Sequence, residues 1–554
     1  MPLSVQEAER RRQSILADRS SWIDSWKEIR DYMLPHHGRF DGDNPNRGDK
    51  RDSLIIQNAA GFAIRTLSAG LLSGLTSPSR PWFRLGLPDQ DLSEYKTVRS
   101  WLDEVEKRMY AVFAASNTYN ALHRMYYELG GFGTACAFVH EDYEDVIRIR
   151  PYTIGEYALA QDANLRVDSV SRDVWMTADQ MVKEFGESKC SENVRAKAKN
   201  MQGDAWFAVR HLLMPNPEYK PGRRDVSGKA YVSVYWEQGA TGEGAGFLGV
   251  KGYEEFPVIA PRWNVVSSDV YGRGPAWESL ADVKMLQVMR EDSLKALDKM
   301  VDPPVIAPHG TRNDTLDLTP GGVNYLSVQD AQMGVKPIYQ VTPAIDKLEM
   351  AIQQVVENVN KSFYVDMFLM LAQLDDKRMT ATEVAERQRE KLLMLGPVIE
   401  QQENEMLEPL IERTFAIMQR GGLIPEPPRE IQGAPLNVEY ISILAQAQKA
   451  TATSAIREWV TSVGEMAQVW PEARFKVNAT EVADQYGELL GIPTKVINSD
   501  EDVEQSRQAE AQQMQMAQVA QMAQVGAGAA KDLAGADMEG QNALKALMGE
   551  GSPV

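Results

Sequence analysis

The hydrophobic positions along the chain change period from one region to the next. Ile15, Trp22, Trp26, Ile29 and Met33 recur at helical spacing behind Ser4-Val5-Gln6-Glu7. That tetrad is a capping box, in which the serine accepts from the N–H three residues on and the glutamate reaches back. It predicts a helix ending before Pro35, with two tryptophans burying a large area on one face. After the polar loop "DGDNPNRGDKRD", helices are predicted over about 53–72, 101–115 and 119–129, the first ended by the Pro- and Gly-rich "LTSPSRPWFRLGLPD". From about 133 to 263 the period shifts toward two. "CAFVHED", "VIRIRPY", "YALAQD", "RVDSVSRDVWM" and "YVSVYWEQ" read as strands, interrupted by one short helix near 178–185, which makes a mixed α+β module.

Helical spacing returns in "GRGPAWESLADVKMLQVMREDSLKALDKMVDPPV". Lys284, Gln287, Glu291, Lys295, Asp298 and Lys299 share one narrow polar face, and apolar residues cover about half of the remaining circumference. Such a helix needs neighbours on more than one side. Pro303-Pro304 stops it, and short strand candidates ("PVIAP", "VNYLSV", "KPIYQV") follow. Thr342 and Pro343 supply an N-cap and a first-position proline for a second helix striped by Ile345, Leu348, Ile352, Val355, Val359 and Phe363. Two helices, each on the order of 30–40 Å long, thus flank an excursion of roughly forty residues.

Next, "DDKRMTATEVAERQREKLLMLGPVIEQ" carries a capping box at Thr380–Glu383, so a helix starts near Ala381. Leu392, Leu395, Ile399, Met406, Leu410 and Ile417 run one stripe straight past Gly396 and Pro397. A proline inside a helix lacks the N–H and crowds the carbonyl four residues back, at about 3 kcal/mol, so a kink is expected there. Taken locally, the stretch fits an ordinary surface helix pair equally well. "GGLIPEPPREIQG" is a loop, 438–463 is helical and Ala-rich, and the tail "AEAQQMQMAQVAQMAQVGAGAAKDLAGADMEG" is low in complexity. The tail fits either a helix packed on copies of itself or a flexible end, and partial order is expected.

At 554 residues the chain holds several domains or one elongated subunit with several modules. A net charge of −19 and a pI near 5.0 argue against a broad grip on DNA phosphates, which needs clustered Lys and Arg. DNA that merely passes by stays compatible with that charge. Cys136 and Cys190 are the two cysteines, so neither a disulfide framework nor a Cys-based zinc site is expected, which fits a reducing cytoplasm. The first residues lack an apolar signal core and no eighteen-residue apolar run occurs, so a soluble protein without membrane association is expected.

Motifs for chemistry fail on context. Gly244, Gly246 and Gly249 match GxGxxG, but the pattern runs into a second strand with no helix to hold a pyrophosphate, so a glycine-rich hairpin is the better reading. No P-loop occurs. Asp89, Glu94 and Lys96 resemble a Mg²⁺-dependent nuclease signature whose halves lie too close together. His36 and His37 lack a third ligand at metal spacing and read as a solvated loop. No catalytic residue, cofactor or metal site is nominated.

"RMTATEVAERQREKLLMLGPVIEQQENEMLEPLIERTF", "GGLIPEPP" and "VEYISILAQAQK" closely resemble the head-to-tail connector, or portal, proteins of short-tailed bacteriophages. "WKEIRDYMLP", "SAGLLSGLTSPSRPWFRL" and "EEFPVIAPRWNVVSSDVYGRGP" resemble the same family, in order over about 5–460. The resemblance implies a mainly helical, mixed α+β elongated subunit: a wing over 1–270, stem helices at 271–302 and 343–364, a clip at 303–342, a tunnel loop at 365–380, a kinked helix returning to the wing at 381–420, a crown at 421–500 and a C-terminal tail at 501–554. It implies a homo-oligomeric ring, typically of twelve subunits, at one capsid vertex of the virion, assembled in the host cytoplasm and passing double-stranded DNA. Major capsid and scaffolding proteins, the terminase large subunit and tail adaptors would be its partners. On this reading Asp375, Asp376, Lys377 and Arg378 face the channel, Gly396 and Pro397 form a kink, and Lys284, Glu291, Lys295 and Lys299 form the stem's polar face. A solvated "DDKR" loop, a nuclease using Asp89, Glu94 and Lys96, and another virion protein such as a tail adaptor or internal core protein are the competing readings.

Overall fold

The capping box at Ser4 forms: the Glu7 N–H donates to Ser4 Oγ at 3.2 Å and the Ser4 N–H donates to Glu7 Oε2 at 2.9 Å. The computed structural model describes residues 3–40, 48, 50–88, 95–239, 246–302, 305–306, 336–337, 345–373, 395–431, 433, 437–441, 443–489, 503, 506–510, 512–517, 519 and 522. They fall into two compact units, Met1–Asp89 with Ser100–Gln448, and Gln90–Arg99 with Lys449–Val554.

In the first unit, helix α1 (Val5–Arg19) and helix α2 (Ile23–Met33) replace the single predicted helix, because a 3₁₀ turn at Ser20–Trp22 separates them. The turn aims Trp22 and Trp26 at Tyr271 and Trp277, with ring centroids 5.0 Å apart for Trp26–Tyr271 and 5.5 Å for Trp22–Trp277. Helix α3 (Ala59–Leu75) starts later than the pattern predicts. The N–H groups of Ile56 and Gln57 both donate to Gln287 Oε1 at 2.8 Å, so a distant side chain satisfies the backbone donors that a longer helix would have used. Strand β1 (Phe83–Gly86), helix α4 (Lys96–Ala115) and helix α5 (Thr118–Phe132) follow.

The predicted period-two region is sheet. Strands β2 (Cys136–Asp142), β3 (Val146–Tyr152) and β9 (Val258–Ile259) pair antiparallel in the order β3-β2-β9. Strands β4 (Tyr157–Gln161), β5 (Val167–Thr177), β6 (Trp206–Pro215), β7 (Tyr231–Glu237) and β8 (Phe247–Tyr253) form an antiparallel meander in chain order. One sheet face buries Leu212, Val232, Val234 and Trp236 beneath Ala8 and Ile15 of α1. The other buries Val209 and Leu248 beneath helices α6 (Ala178–Phe185) and α7 (Glu192–Lys199). The sequence pattern shows only the first of those two helices. β7 and β8 pair directly, Trp236 opposite Phe247, so the glycine-rich connection is a hairpin as expected; Gly244 itself lies outside the described residues.

Helices α8 (Pro275–Val301), α9 (Ile345–Ser362) and α10 (Val365–Gln373) come next. Between α8 and α9, strands β10 (Val305–Ile306) and β11 (Lys336–Pro337) pair antiparallel. Residues 395–402 are helical, Glu403–Leu407 form a π turn, and helix α11 (Glu408–Arg420) continues. The stretch predicted as helical from 438 opens instead with strand β12 (Asn437–Tyr440), because Val438 and Tyr440 pair with Leu85 and Phe83 of β1. Only then does helix α12 (Ile443–Val469) begin. In the second unit it is followed by a 3₁₀ turn at Pro471–Lys476 and helix α13 (Ala479–Leu489). Cys136 and Cys190 are free and buried. No described helix is long and apolar enough to cross a membrane.

Candidate assembly and channel surface

The long helix α8 is locked at its base by glycines. Gly274 is its N-cap and Pro275 its first residue, whose missing N–H would have had no partner there. Helix α5 ends at Gly133, in the left-handed region at φ 79°. A Cβ on Gly133 would lie 2.5 Å from the Gly272 carbonyl oxygen, and one on Gly274 would lie 2.5 Å from the Leu129 carbonyl oxygen. "YGRGP" is therefore glycine-rich so that two backbones can touch. Trp277 Nε1 donates to the Phe132 carbonyl at 3.1 Å, and the Arg273 guanidinium sits 4.7 Å from the Trp22 ring while pairing with Asp269 at 2.8 Å.

From that base α8 pairs with α9. Leu286 is buried with Ile352, Val355 and Ala59, while Glu349 accepts from Arg290 at 2.7 Å and from Ser293 at 3.2 Å. Later residues of α8 meet earlier residues of α9, so the two run antiparallel. The sequence-nominated polar residues divide along α8. Lys284 reaches Glu28 at 2.7 Å and lies 5.5 Å from the Tyr32 ring. Gln287 is buried on the segment before α3. Lys295 pairs with Glu291 at 2.7 Å, and that hydrogen bond holds its ammonium above the usual lysine range; Lys299 is exposed. What the residue pattern did not single out is the apolar surface left in solvent: Met285, Val288, Leu294, Leu297 and Val301 of α8 and Met350 of α9, with Val301 85% and Met350 65% exposed. The signal was the apolar excess on the wheel, but the wheel could not say which residues the chain itself would cover.

Tyr364, at φ 56°, turns the chain from α9 into α10. The stretch nominated as a tunnel loop thus opens with a helix, whose Val365, Met367 and Phe368 are buried. A Cβ on Gly70 of α3 would lie 2.2 Å from the Phe368 ring, so α3 is notched there to admit it. Asp375, Asp376, Lys377, Arg378 and the Thr380 capping box lie outside the described residues. So do the residues just before Leu395, on the near side of the nominated kink; Gly396 and the exposed Pro397 sit in the helical segment after them.

In the described helix from 395 to Arg420, the irregular turn is the π turn at Glu403–Leu407, where the Glu408 N–H reaches back to the Glu403 carbonyl ahead of Pro409. Arg262, 3% exposed, holds that turn. Its Nε donates to Glu405 Oε1 at 3.1 Å, its N–H donates to Glu405 Oε2 at 2.9 Å, and Gln402 Nε2 returns a bond to the Arg262 carbonyl at 2.8 Å.

The family described as "Bacteriophage head to tail connecting protein" matches residues 5–497. The chain belongs to that family. A "Probable portal protein" of Bordetella phage BPP-1 is 42% identical to this connector over 527 residues, 95% of each chain. The "Portal protein" of Salmonella phage epsilon15 is 40% identical over 531 residues, 96% of this chain and 95% of its own. A solved "Neck of native GTA particle computed with C12 symmetry" covers 78% of the connector and 91% of its own chain at 11% identity and a TM-score of 0.32, a likeness too slight to argue from.

The competing enzyme reading gains nothing from the connector's geometry. Asp89 and Glu94 lie outside the described residues, as does the side chain of Lys96. Among the described residues no three His, Cys, Asp or Glu side chains are grouped to hold a metal ion. His36 is exposed in a turn, as expected of a solvated loop, but His37 departs from that expectation. His37 Nδ1 lies 2.8 Å from Oε1 of the buried Glu128, and its ring stacks on Tyr127 at 4.6 Å, so it ties the end of α2 to α5.

Proposed function

We propose that this connector is the portal subunit of a tailed phage, a structural protein whose copies close into a ring at the capsid vertex and give DNA its way in and out. The observation that carries the reading is the antiparallel pair α8/α9. Its base is fixed by buried aromatics and glycine contacts, yet apolar side chains from Met285 to Val301 remain in solvent in a single subunit. A neighbouring copy covers such a surface, and a head-to-tail contact repeated around an axis closes a ring, twelve-membered by resemblance. In that ring α8 and α9 form the stem, 303–342 the clip that meets terminase and later tail adaptors, and 1–270, rejoined by 381–420, the wing that faces capsid and scaffolding proteins.

The segment after α10, with Asp375, Asp376, Lys377 and Arg378, borders the channel in this proposal. DNA carries about one charge per 1.7 Å of axis, and each phosphate held by Lys or Arg adds affinity through counterion release. A wall that lets a genome slide therefore keeps such contacts few, in keeping with a net charge of −19. Native mass spectrometry with negative-stain imaging of the full chain is the test. A ring of about twelve copies with an open centre is expected; a monomer or compact dimer at every concentration and salt would overturn the reading.

A further inference from the structure

Among the described residues, the second unit carries two exposed apolar faces. On α12, Trp459 and Met466 fall seven residues apart, and Trp470, just past the helix end, continues the same line. Trp459 is 47%, Met466 46% and Trp470 64% exposed. The other face belongs to the helical residues near the C-terminus. There Met514, Met516, Val519 and Met522 are 61–79% exposed, and no charged residue occurs between Ala511 and Ala530.

The two faces suit each other chemically. Methionine is unbranched and adaptable, and its thioether makes favourable contacts with aromatic rings. An indole offers a broad apolar face and one N–H donor, for which Gln512, Gln513 and Gln515 supply side-chain carbonyl acceptors. An uncharged helix docks on tryptophan without the desolvation cost that a buried charge would add.

Each chain carries one copy of each face, and both are exposed among the described residues. Two different complementary patches per subunit are what a head-to-tail contact requires, whereas a two-fold contact uses one patch twice. We infer that the tryptophan line of α12 seats the methionine-rich helical segment of the neighbouring copy, so that each subunit straps the next around the ring. The inference rests on the ring reading above.

The test is disulfide cross-linking between chains. Trp470→Cys chains are co-expressed with Met516→Cys chains, and both positions are exposed, so each variant keeps the fold. Cys136 and Cys190 are buried and do not compete. Arg457→Cys, on the exposed opposite side of α12, replaces Trp470→Cys in the control. The expected result is a shift to covalent dimer on denaturing gels for the 470/516 mixture alone, with rings intact in native mass spectrometry. Intact rings without that dimer, or with equal dimer from the 457/516 mixture, overturn the strap and leave the ring standing. A Trp470→Cys/Met516→Cys double variant that cross-links only within its own chain overturns it too. Absence of rings in the unsubstituted chain removes the ring reading and the strap together.

Discussion

Glu106 of α4 is a carboxyl held against a strand backbone, its Oε1 accepting the Leu85 N–H at 2.7 Å. Burial pushes its pKa up to about 7, the Leu85 N–H pulls the other way, and Asp103 and Glu439 add to the rise while Arg84 opposes it. The folded chain therefore keeps a proton that the unfolded chain has lost, so this group's contribution to stability is full below about pH 4.5 and fades as pH rises through about 7. Its size is on the order of 3 kcal/mol. Glu106→Gln keeps the acceptor and removes the titration. The variant's Tm should lose less than the parent's between about pH 5 and 8, read by thermal melts at matched ionic strength. Nothing in the sequence around Glu106 announces this, because the donor lies 21 residues back on a strand that only the fold brings near. Gln287 is the same lesson: on the wheel it belongs to a solvated polar face, and in the fold it is buried, capping the backbone at Ile56 and Gln57.

At the scale of elements, the contact between the end of α5 and the start of α8 sets where the long helix points. Gly133→Ala would place a methyl group against the Gly272 carbonyl in a backbone conformation that alanine resists. A loss of about 2–4 kcal/mol is expected, with the first turn of α8 losing amide protection in hydrogen exchange before α9 does. The elements most legible in sequence were those with a local cap or a clean stripe, such as α1 behind Ser4 and the helix carrying Ile352 and Val355. Those misread were decided by distant partners. β12 is a strand because β1 lies beside it, and the turn at Ser20–Trp22 exists because the two tryptophans must reach Tyr271 and Trp277. The π turn at Glu403–Leu407 likewise has Pro409 as its one sequence cue, while Arg262, far away in the chain, holds it.

At the scale of the whole molecule, the exposed apolar residues of α8 and α9 are where the proposed ring can be broken without unfolding the subunit. Leu294→Glu with Leu297→Glu alters side chains already 44% and 39% exposed, so monomer melting should change little. Subunit association should weaken by about tenfold or more, seen as ring loss on dilution in native mass spectrometry. Lys377→Ala with Arg378→Ala belongs to the proposed channel and predicts the opposite: rings intact, with packaging or genome retention altered. Lost assembly in that variant would count against the channel placement.

Local and compositional properties came from the sequence by itself: the capping boxes, the helical and strand periods, the two long helices around an excursion, the acidic balance, and segments specific enough to name the family. These depend on neighbours in the chain, where period and cap chemistry act directly. Tertiary structure alone decided which side of each helix is spent inside the subunit and which remains for another copy. A wheel records how much apolar surface a helix has, and only the packed chain, with Gln287, Glu28 and Ala59 in place, shows how much of it is already covered.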